Sequence, residues 1–535
     1  MKTIKIITLS AFTALLFSSC GGTSTVLSTP VENIDNTPLK VLELTEVEKK
    51  NWGHLDLIKD TIPGMSVDKA YAEIIKNKKG STVIVAVIDS GIDIDHEDLD
   101  DVIWTNEDEI PNNGKDDDKN GYVDDIHGWN FLGDGYNEQL EFVRILASGD
   151  TSNPDYNRAQ AEYDKEYQKY LGLKNNYDQI LQQVSDADAK VAAHLNKKDY
   201  TKADVNAIKT EDQALLQAVN IVKYVYSVDM ESVADFQKEL NEGLEQFNDR
   251  LNYHLNKTFK GRINGDNPDD MSTKYYGNGN VKPVKKSESH GTHVAGIIAA
   301  ERNNGKGVNG VANHVKIMSV RSTPNGDEYD KDVALSIRYA VDNGASIINT
   351  SFGKYYSPHS DLVREAITYA GKNDVLIVNA AGNEAIDLDK QDVYPNDAVG
   401  VGPEVSDTFI SVGALQPKYG SGMIAGFSNY GKVNVDVFAP GAEIYSTTPE
   451  NEYDTKGGTS MAAPAVAGVA ALIRSYYPKL SAAQVKQVLM DSGLAVKTKV
   501  VVGGNTDNVK PFADIVKSGK IVNAYNALIM ASKLN

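Results

Sequence analysis

The sequence predicts an α/β protein built on a doubly wound parallel sheet. Five apolar, largely uninterrupted runs suit strands buried on both faces; they lie at Thr82 to Ile88, Val315 to Val320, Ala345 to Thr350, Val375 to Ala380 and Phe409 to Val412. Stretches with helical periodicity, residues 332–343 and 361–372, separate some of these runs. Because strands alternate with helices, we expect helices on both faces of one sheet and ligands beyond its carboxyl edge.

Composition places the chain among folded globular proteins. It has 535 residues, 41% of them hydrophobic, with 54 basic and 74 acidic side chains and a net charge of −20. This length allows several domains or one large domain with insertions. Because phosphate binding needs clustered Lys and Arg, we expect no nucleic-acid partner.

The N-terminus has the features of an export signal. Lys2 and Lys5 precede an apolar run that ends at Phe17 and is too short to span a membrane, so residues 1–19 are predicted to be a signal peptide. Cys20 and its neighbours resemble the lipobox of bacterial lipoproteins, which implies a lipid anchor. We therefore expect an exported cell-envelope lipoprotein, on the periplasmic side or the cell surface, with residues 20–40 as a tether. The alternative is cleavage nearby with loss of Cys20.

Cys20 is the only cysteine of the chain. The rest of the sequence therefore offers no disulfide, no Cys-based zinc site and no cysteine nucleophile.

Residues 155–259 interrupt the alternation of strands and helices. Their apolar residues recur at helical steps and form two series, Tyr163, Tyr167, Tyr170, Tyr177, Leu181 and Val184, then Phe236, Leu240, Leu244, Phe247 and Leu251. We predict an inserted helical hairpin or small bundle whose apolar stripes pack on each other. The main domain would then comprise residues 41–154 and 260–535.

Four short motifs carry reactive side chains; in order they are Val-Ile-Asp89-Ser-Gly-Ile-Asp, His290-Gly-Thr-His-Val-Ala-Gly, Asn-Ala-Ala-Gly-Asn383 and Gly-Gly-Thr-Ser460-Met-Ala-Ala-Pro. Singly, each has an ordinary structural explanation, such as a turn for Asp89 or a helix cap for Ser460. Together they supply a nucleophile, a base, a carboxylate to orient the base and an amide donor, which is the full requirement for acyl transfer.

These motifs, in the order Asp, His, Ser, resemble those of the subtilisin-like serine proteases. An α/β-hydrolase places its histidine after the nucleophile, whereas the last histidine here is His359, well before Ser460. A chymotrypsin-like order would leave the Asp89 motif unexplained.

The resemblance implies a serine endopeptidase with a subtilisin-like fold. Ser460 would be the nucleophile, His290 the general base, Asp89 its orienting partner and Asn383 an oxyanion donor, with His293 in a structural role. Peptide or protein substrates would bind along walls that correspond to Ser351, Phe352, Gly353, Ala381 and Gly382. Nothing in the sequence indicates which side chain the pocket prefers.

An acidic loop between residues 116 and 125 predicts a calcium site. Its alternating carboxylate and amide oxygens suit Ca²⁺; the candidate ligands are Asp116, Asp118, Asn120, Tyr122, Asp124 and Asp125. The twelfth position of an EF-hand would be His127 instead of Glu, so we expect a calcium loop of another type. The alternative is a solvated acidic turn.

A second class of function also fits part of the sequence. The chain would then be a non-catalytic, calcium-binding lipoprotein that docks a partner protein through its helical insertion. Labelling by a serine-directed probe would distinguish this from an enzyme.

Overall fold

The computed structural model describes residues 28–228 and 230–534. Its strands are β1 (Val83–Asp89), β2 (Gly128–Asn130), β3 (Val315–Arg321), β4 (Ile347–Thr350), β5 (Leu376–Ala380), β6 (Phe409–Leu415), β7 (Val437–Pro440), β8 (Ile444–Thr448), β9 (Glu452–Lys456), β10 (Leu494–Ala495), β11 (Lys499–Val502), β12 (Asn505–Pro511) and β13 (Lys520–Ile521).

The helices of the same residues are α1 (Glu46–Asn51), α2 (Leu57–Asp60), α3 (Val67–Ala70), α4 (Glu141–Ala147), α5 (Tyr156–Leu195), α6 (Lys202–Ala207), α7 (Gln213–Val225), α8 (Val233–Asp249), α9 (His290–Ala299), α10 (Asp330–Asp342), α11 (Ser360–Lys372), α12 (Thr459–Tyr476), α13 (Ala482–Ser492) and α14 (Ala524–Leu534). No helix in the described part of the chain is both long and apolar enough to cross a membrane.

One nine-stranded sheet organises the main domain, in the order β10-β13-β7-β6-β5-β4-β1-β3-β2. Every neighbouring pair in it is parallel except β10 with β13. Along β1, Val85 and Val87 face a core shared with α9, α12, α13 and α14, whereas Ala86 and Ile88 face a core shared with α10 and α11. Helices therefore cover both faces, and the predicted doubly wound parallel sheet is confirmed.

The predicted helical insertion is also helical in the structure, but its two halves differ in packing. The 40-residue helix α5 is about 60 Å long and runs beside α7 and α8. In the distal half, residues of α5, α6, α7 and α8 form a core of their own around Val191 and Val222. In the proximal half, Tyr156 and Ala159 pack against α4 and Tyr356 of the main domain. The stripes are thus self-contained only in the distal half.

The segment predicted to be a tether is partly packed. Residues 20–27 lie outside the described residues, as do the signal peptide and Cys20. Beyond them, Val31 exchanges two hydrogen bonds with the side chain of Asn526, N to Oδ1 at 2.9 Å and Nδ2 to O at 2.7 Å. Ile34 is only 1% exposed and joins a core cluster with Leu415. Part of the predicted tether, residues 20–40, therefore packs on the main domain, beginning about ten residues before the start predicted for that domain.

Candidate active site

The carboxyl edge of the sheet carries the predicted site residues. Asp89 is the last residue of β1, the segment from Ser351 follows β4, and the segment from Ala381 follows β5. Helices α9 and α12 begin at the same edge, with His290 as the first residue of α9 and Ser460 as the second of α12. Because all these strands are parallel, their carboxyl ends bring residues that are far apart in sequence to one edge.

Asp89 and His290 form a direct pair. His290 Nδ1 lies 2.8 Å from Asp89 Oδ1, and the backbone N–H of Ser90 donates to the same oxygen at 2.7 Å. Asp89 is 1% exposed, whereas the imidazole is 39% exposed. Gly291 allows this approach, because a Cβ there would lie 2.3 Å from the carbonyl oxygen of Gly91. The carboxylate is therefore buried and fixed, and the imidazole is partly open to solvent.

The pair also shifts the protonation of the imidazole. Burial on its own would lower the pKa of His290, but the charge of Asp89 and the hydrogen bond to it outweigh this and raise the pKa above its usual value. A carboxylate at Nδ1 also favours the tautomer that carries the proton on Nδ1. The neutral ring then presents Nε2 as a proton acceptor.

His293 has a different environment, although it lies only three residues after His290. It is fully buried, and its Nε2 lies 3.1 Å from the carbonyl oxygens of both Ile444 and Asp454, in the β8–β9 hairpin. Burial lowers its pKa to about 3. His293 therefore stays neutral and ties α9 to that hairpin.

Ser460 is half-buried at the start of α12. Its Oγ donates to the carbonyl oxygen of Ser351 at 3.0 Å, and Ser351 Oγ donates to the carbonyl oxygen of Ser460 at 2.9 Å. In this conformer the hydroxyl is thus directed at the segment after β4, and rotation about its Cα–Cβ bond is needed to turn it towards another acceptor. The two serines are held together by reciprocal hydrogen bonds.

Asn383 is exposed, and its amide is oriented by the start of α12. Asn383 Oδ1 accepts from the backbone N–H of Thr459 at 2.8 Å and from Thr459 Oγ1 at 3.0 Å. Thr459 Oγ1 also accepts from the backbone N–H of Gly382 at 3.0 Å. Oδ1 thus accepts from two donors, whereas Nδ2 donates to none of the described residues. Sequence reasoning did not identify Thr459, although its place beside Ser460 was a signal.

The predicted substrate walls lie on the two segments that follow β4 and β5. Gly353 is exposed, and a Cβ there would lie 3.1 Å from Tyr394 O and 3.3 Å from Val393 Cγ1. Phe352 is partly buried against the core. Ala381 is 1% exposed, and its carbonyl oxygen accepts from Asn429 Nδ2 at 2.8 Å. Both segments therefore pack against neighbouring parts of the main domain.

The acidic loop brings together only some of its predicted ligands. Carboxylate oxygens of Asp118 and Asp125 lie within 4.8 Å of each other and of Glu109, which the sequence analysis missed. Asn120 Nδ2 donates to both aspartates at 3.0 Å. Burial raises the pKa of Asp125 to about 6. Glu109 lies before residues 116–125, so the spacing of the carboxylates in that loop did not indicate it.

The other predicted ligands have different partners. Asp116 accepts from the backbone N–H groups of Asn120 (3.1 Å) and Gly121 (2.9 Å), and Asp124 accepts from those of Asn113 (3.0 Å) and Gly114 (2.9 Å). Their carboxylates close turns of the loop. The ring of Tyr122 is buried against Trp129, with 4.9 Å between the ring centroids.

The chain is similar to a protein-family model and to curated proteins. The family model Peptidase_S8, described as the Subtilase family, matches residues 80–511. A thermophilic serine proteinase of Bacillus sp. (strain AK1) is 42% identical over 188 residues, covering 35% of this chain and 43% of the relative. Subtilisin DY of Bacillus licheniformis is 36% identical over 226 residues, covering 42% of this chain and 77% of the relative.

Among solved structures, a protease of Pseudoalteromonas arctica PAMC 21717 aligns with a TM-score of 0.46 at 20% identity, covering 90% of this chain and 97% of that one. The chain spans less than half the length of the first of these curated relatives and about three quarters of the second.

Proposed function

The chain belongs to the Subtilase family, and on that basis we propose that it is a serine endopeptidase that hydrolyses peptide bonds in peptide or protein substrates. The observation that carries the proposal is the 2.8 Å contact between Asp89 and His290 at the sheet edge where Ser460 and Asn383 also lie. Asp, His, Ser and an oxyanion donor are the groups that acyl transfer to a serine requires.

In the proposed reaction, Ser460 Oγ leaves the carbonyl oxygen of Ser351 and donates to His290 Nε2. As the oxygen attacks the scissile carbonyl, Nε2 takes its proton and later delivers it to the leaving amine. Asp89 holds the imidazole by Nδ1 and stabilises the imidazolium that forms. A water molecule then attacks the acyl-enzyme in the same way, with His290 as the base, and the carboxylic acid product is released.

Charge develops on the carbonyl oxygen in the tetrahedral intermediate. We assign its stabilisation to Asn383 Nδ2 and the backbone N–H of Ser460, which lies in the first turn of α12 and has no intrahelical acceptor. The positive end of the α12 dipole adds to this effect. The two hydrogen bonds from Thr459 hold the Asn383 amide in the required orientation before substrate arrives.

The substrate backbone is proposed to bind as an added strand along the segments after β4 and β5. Ser351, Phe352 and Gly353 would form one wall, and Ala381 and Gly382 the other. The exposed backbone at Gly353 suits such pairing.

A serine-directed fluorophosphonate probe tests the catalytic proposal. We expect covalent labelling of the parent protein and none of Ser460→Ala. Ser475→Ala is a matched control, because Ser475 is buried near the other end of the same helix, and it should be labelled like the parent. A parent protein that the probe does not label, or a Ser460→Ala variant that still hydrolyses peptides, would favour the non-catalytic alternative.

We also propose a calcium ion at the acidic loop. Glu109, Asp118 and Asp125 supply a cluster of hard oxygen ligands, and Glu109 Oε2 is buried without a hydrogen-bond partner among the described residues. A bound cation would satisfy that oxygen and relieve the repulsion that accompanies three close carboxylates. Its function would be to stabilise the loop, not to take part in the reaction.

For location, we propose export to the cell envelope and a lipid anchor at Cys20. The support is the signal-like N-terminus and the lipobox-like residues that end at Cys20. In cells fed an alkyne-tagged fatty acid, the protein should be labelled, and Cys20→Ser should remove the label. Persistent labelling of that variant would refute the anchor.

A further inference from the structure

A buried network of charges links α4, the helix that precedes the insertion, to the segments that follow β3 and β4. Lys354, whose side chain is 1% exposed, donates from Nζ to Glu141 Oε2 and to the carbonyl oxygen of Glu328, both at 2.8 Å. Asp330 Oδ1 lies 3.0 Å from the same nitrogen. Glu141 lies on α4, next to the insertion, whereas Glu328 and Asp330 follow β3. Lys354 therefore connects three separate segments.

Arg144, one turn further along α4, strengthens the same connection. It donates to Glu141 Oε2 at 2.5 Å and to the carbonyl oxygen of Asp327 at 2.9 Å. Although burial alone would raise it, the pKa of Glu141 falls to about 2 because of Arg144 and Lys354. Glu141 is therefore a carboxylate at neutral pH, shared between two cations.

The network adjoins the segments on both sides of Asp89. Strands β3 and β4 flank β1, which ends at Asp89, so the segments after β3 and β4 lie on either side of the catalytic carboxylate. Lys354 directly follows Gly353 of the proposed wall, and that wall begins at Ser351, which exchanges hydrogen bonds with Ser460. The residues before α4 also pair with the segment after β3, because Glu138 N donates to Asn325 O at 2.9 Å.

A buried ion pair is weak evidence of stabilisation, since the desolvation of two charges offsets most of their attraction. Its advantage is a defined geometry, because Lys354 must keep its ammonium group at three oxygens at once. That geometry holds Lys354 in place, and with it the neighbouring Gly353.

We propose that Glu141 is a positioning residue that acts through Lys354 to hold the Ser351–Gly353 wall in the register an extended substrate requires. The inference rests on the proposed peptidase function. It predicts that Glu141 on α4 contributes to the binding of peptides that occupy the wall and not to the chemistry at Ser460. Loss of this binding should appear in KM, whereas kcat should change little.

The test compares Glu141→Gln with the parent on two substrates, a tetrapeptide anilide that extends along the wall and a small ester that does not. We expect the KM for the anilide to rise about tenfold while kcat and the hydrolysis of the ester stay within about twofold. Glu141→Asp, which keeps the charge, should recover most of the loss. Lys486→Met is the matched control, because Lys486 is also buried and paired with a carboxylate, Glu404 at 3.0 Å, but lies on α13.

Hydrogen exchange gives a readout that does not depend on activity. Lys354 and Tyr394 exchange two backbone hydrogen bonds of 2.9 Å, so a loosened wall should exchange faster at residues 351–357 in Glu141→Gln than in Lys486→Met. An unchanged KM for the anilide, an equal loss on the ester, or the same pattern in Lys486→Met would overturn the proposal. If the parent cleaves neither substrate, the peptidase function fails, and unchanged exchange at 351–357 would then overturn the positioning role separately.

Discussion

Replacement of Asn383 separates its proposed catalytic role from its structural one. In Asn383→Ala the oxyanion loses one donor, which costs about 2.7–4 kcal/mol, or 10²–10³ in kcat, by the value known for a subtilisin. The same variant also removes Oδ1, which accepts from Thr459 N and Thr459 Oγ1. Each lost hydrogen bond costs about 1 kcal/mol of stability. Asn383→Ala should therefore lose both activity and stability.

Asn383→Asp is the decisive comparison. A carboxylate can still accept both hydrogen bonds from Thr459, so the start of α12 should keep its stability. It offers no donor, however, and places a negative charge beside the developing oxyanion, so kcat should fall at least as far as in Asn383→Ala. Thr459→Val removes a hydroxyl that donates to Asn383 Oδ1 and accepts from Gly382 N. The loss of the first of these hydrogen bonds, about 1 kcal/mol, predicts a fivefold fall in kcat.

The assay is steady-state hydrolysis of a peptide anilide by each variant, with the active enzyme counted by fluorophosphonate titration and stability measured by urea unfolding. KM should change little, because the interaction forms in the transition state. A kcat of Asn383→Asp within about threefold of the parent would refute the role of Nδ2, since a lost oxyanion donor costs at least about a hundredfold.

Three other predictions follow from the site and its surroundings. Because His290 must be neutral to act as base and Asp89 raises its pKa, kcat/KM should rise with pH through a midpoint above 6.5; Asp89→Asn should lower both that midpoint and, by about 10⁴, the rate. Calcium at a hundredfold excess over its Kd should stabilise the protein by about 2.7 kcal/mol. This response to calcium or chelator in melting experiments should be lost in Asp118→Ala and kept in Asp116→Ala; a melting temperature indifferent to both would favour a solvated acidic turn. Replacement of residues 174–242 with a short Gly/Ser linker removes the distal core alone, so folding and peptide cleavage should persist while cleavage of whole proteins changes. Collapse of the main domain would contradict that division.

The sequence predicted those parts of the fold whose residues are buried on both faces. Residues 83–88, directly before Asp89, are apolar at every position, so β1 could be recognised without knowing its neighbours. Strands β2 and β13 have three and two residues and exist only because distant strands pair with them. Val31 and Ile34 are similar cases, since their partners, Asn526 and Leu415, lie far along the chain. Non-local pairing leaves no periodicity in a short segment, and prediction fails there.

The same distinction applies to the site. Each of the motifs around Asp89, His290 and Ser460 is a continuous stretch of sequence, so both the motifs and their order along the chain could be recognised. The acidic loop is different, because a carboxylate near a turn can either bind a cation or accept from the backbone, and the spacing is the same in both cases. Asp116 and Asp124 accept from the backbone, and Glu109, from outside the motif, takes a place in the cluster. Only the turn geometry decides between these outcomes.

The insertion shows how a large segment can be added without disturbing the site. Arg144 on its entering side and Arg262 on its returning side both lie over the ring of Tyr329, at 4.0 and 4.6 Å from the centroid. The two ends are thus fixed at one point of the main domain, and the loop-closure cost grows only slowly with what lies between them. Since the distal half buries its own core, its residues can change without affecting the packing of the main domain. Helix α4 is constrained, because Glu141 shares its charge with Lys354. The near half of the insertion also packs on Tyr356, so we expect changes near α4 and Tyr356 to affect the segment after β4 more than changes in the distal half do.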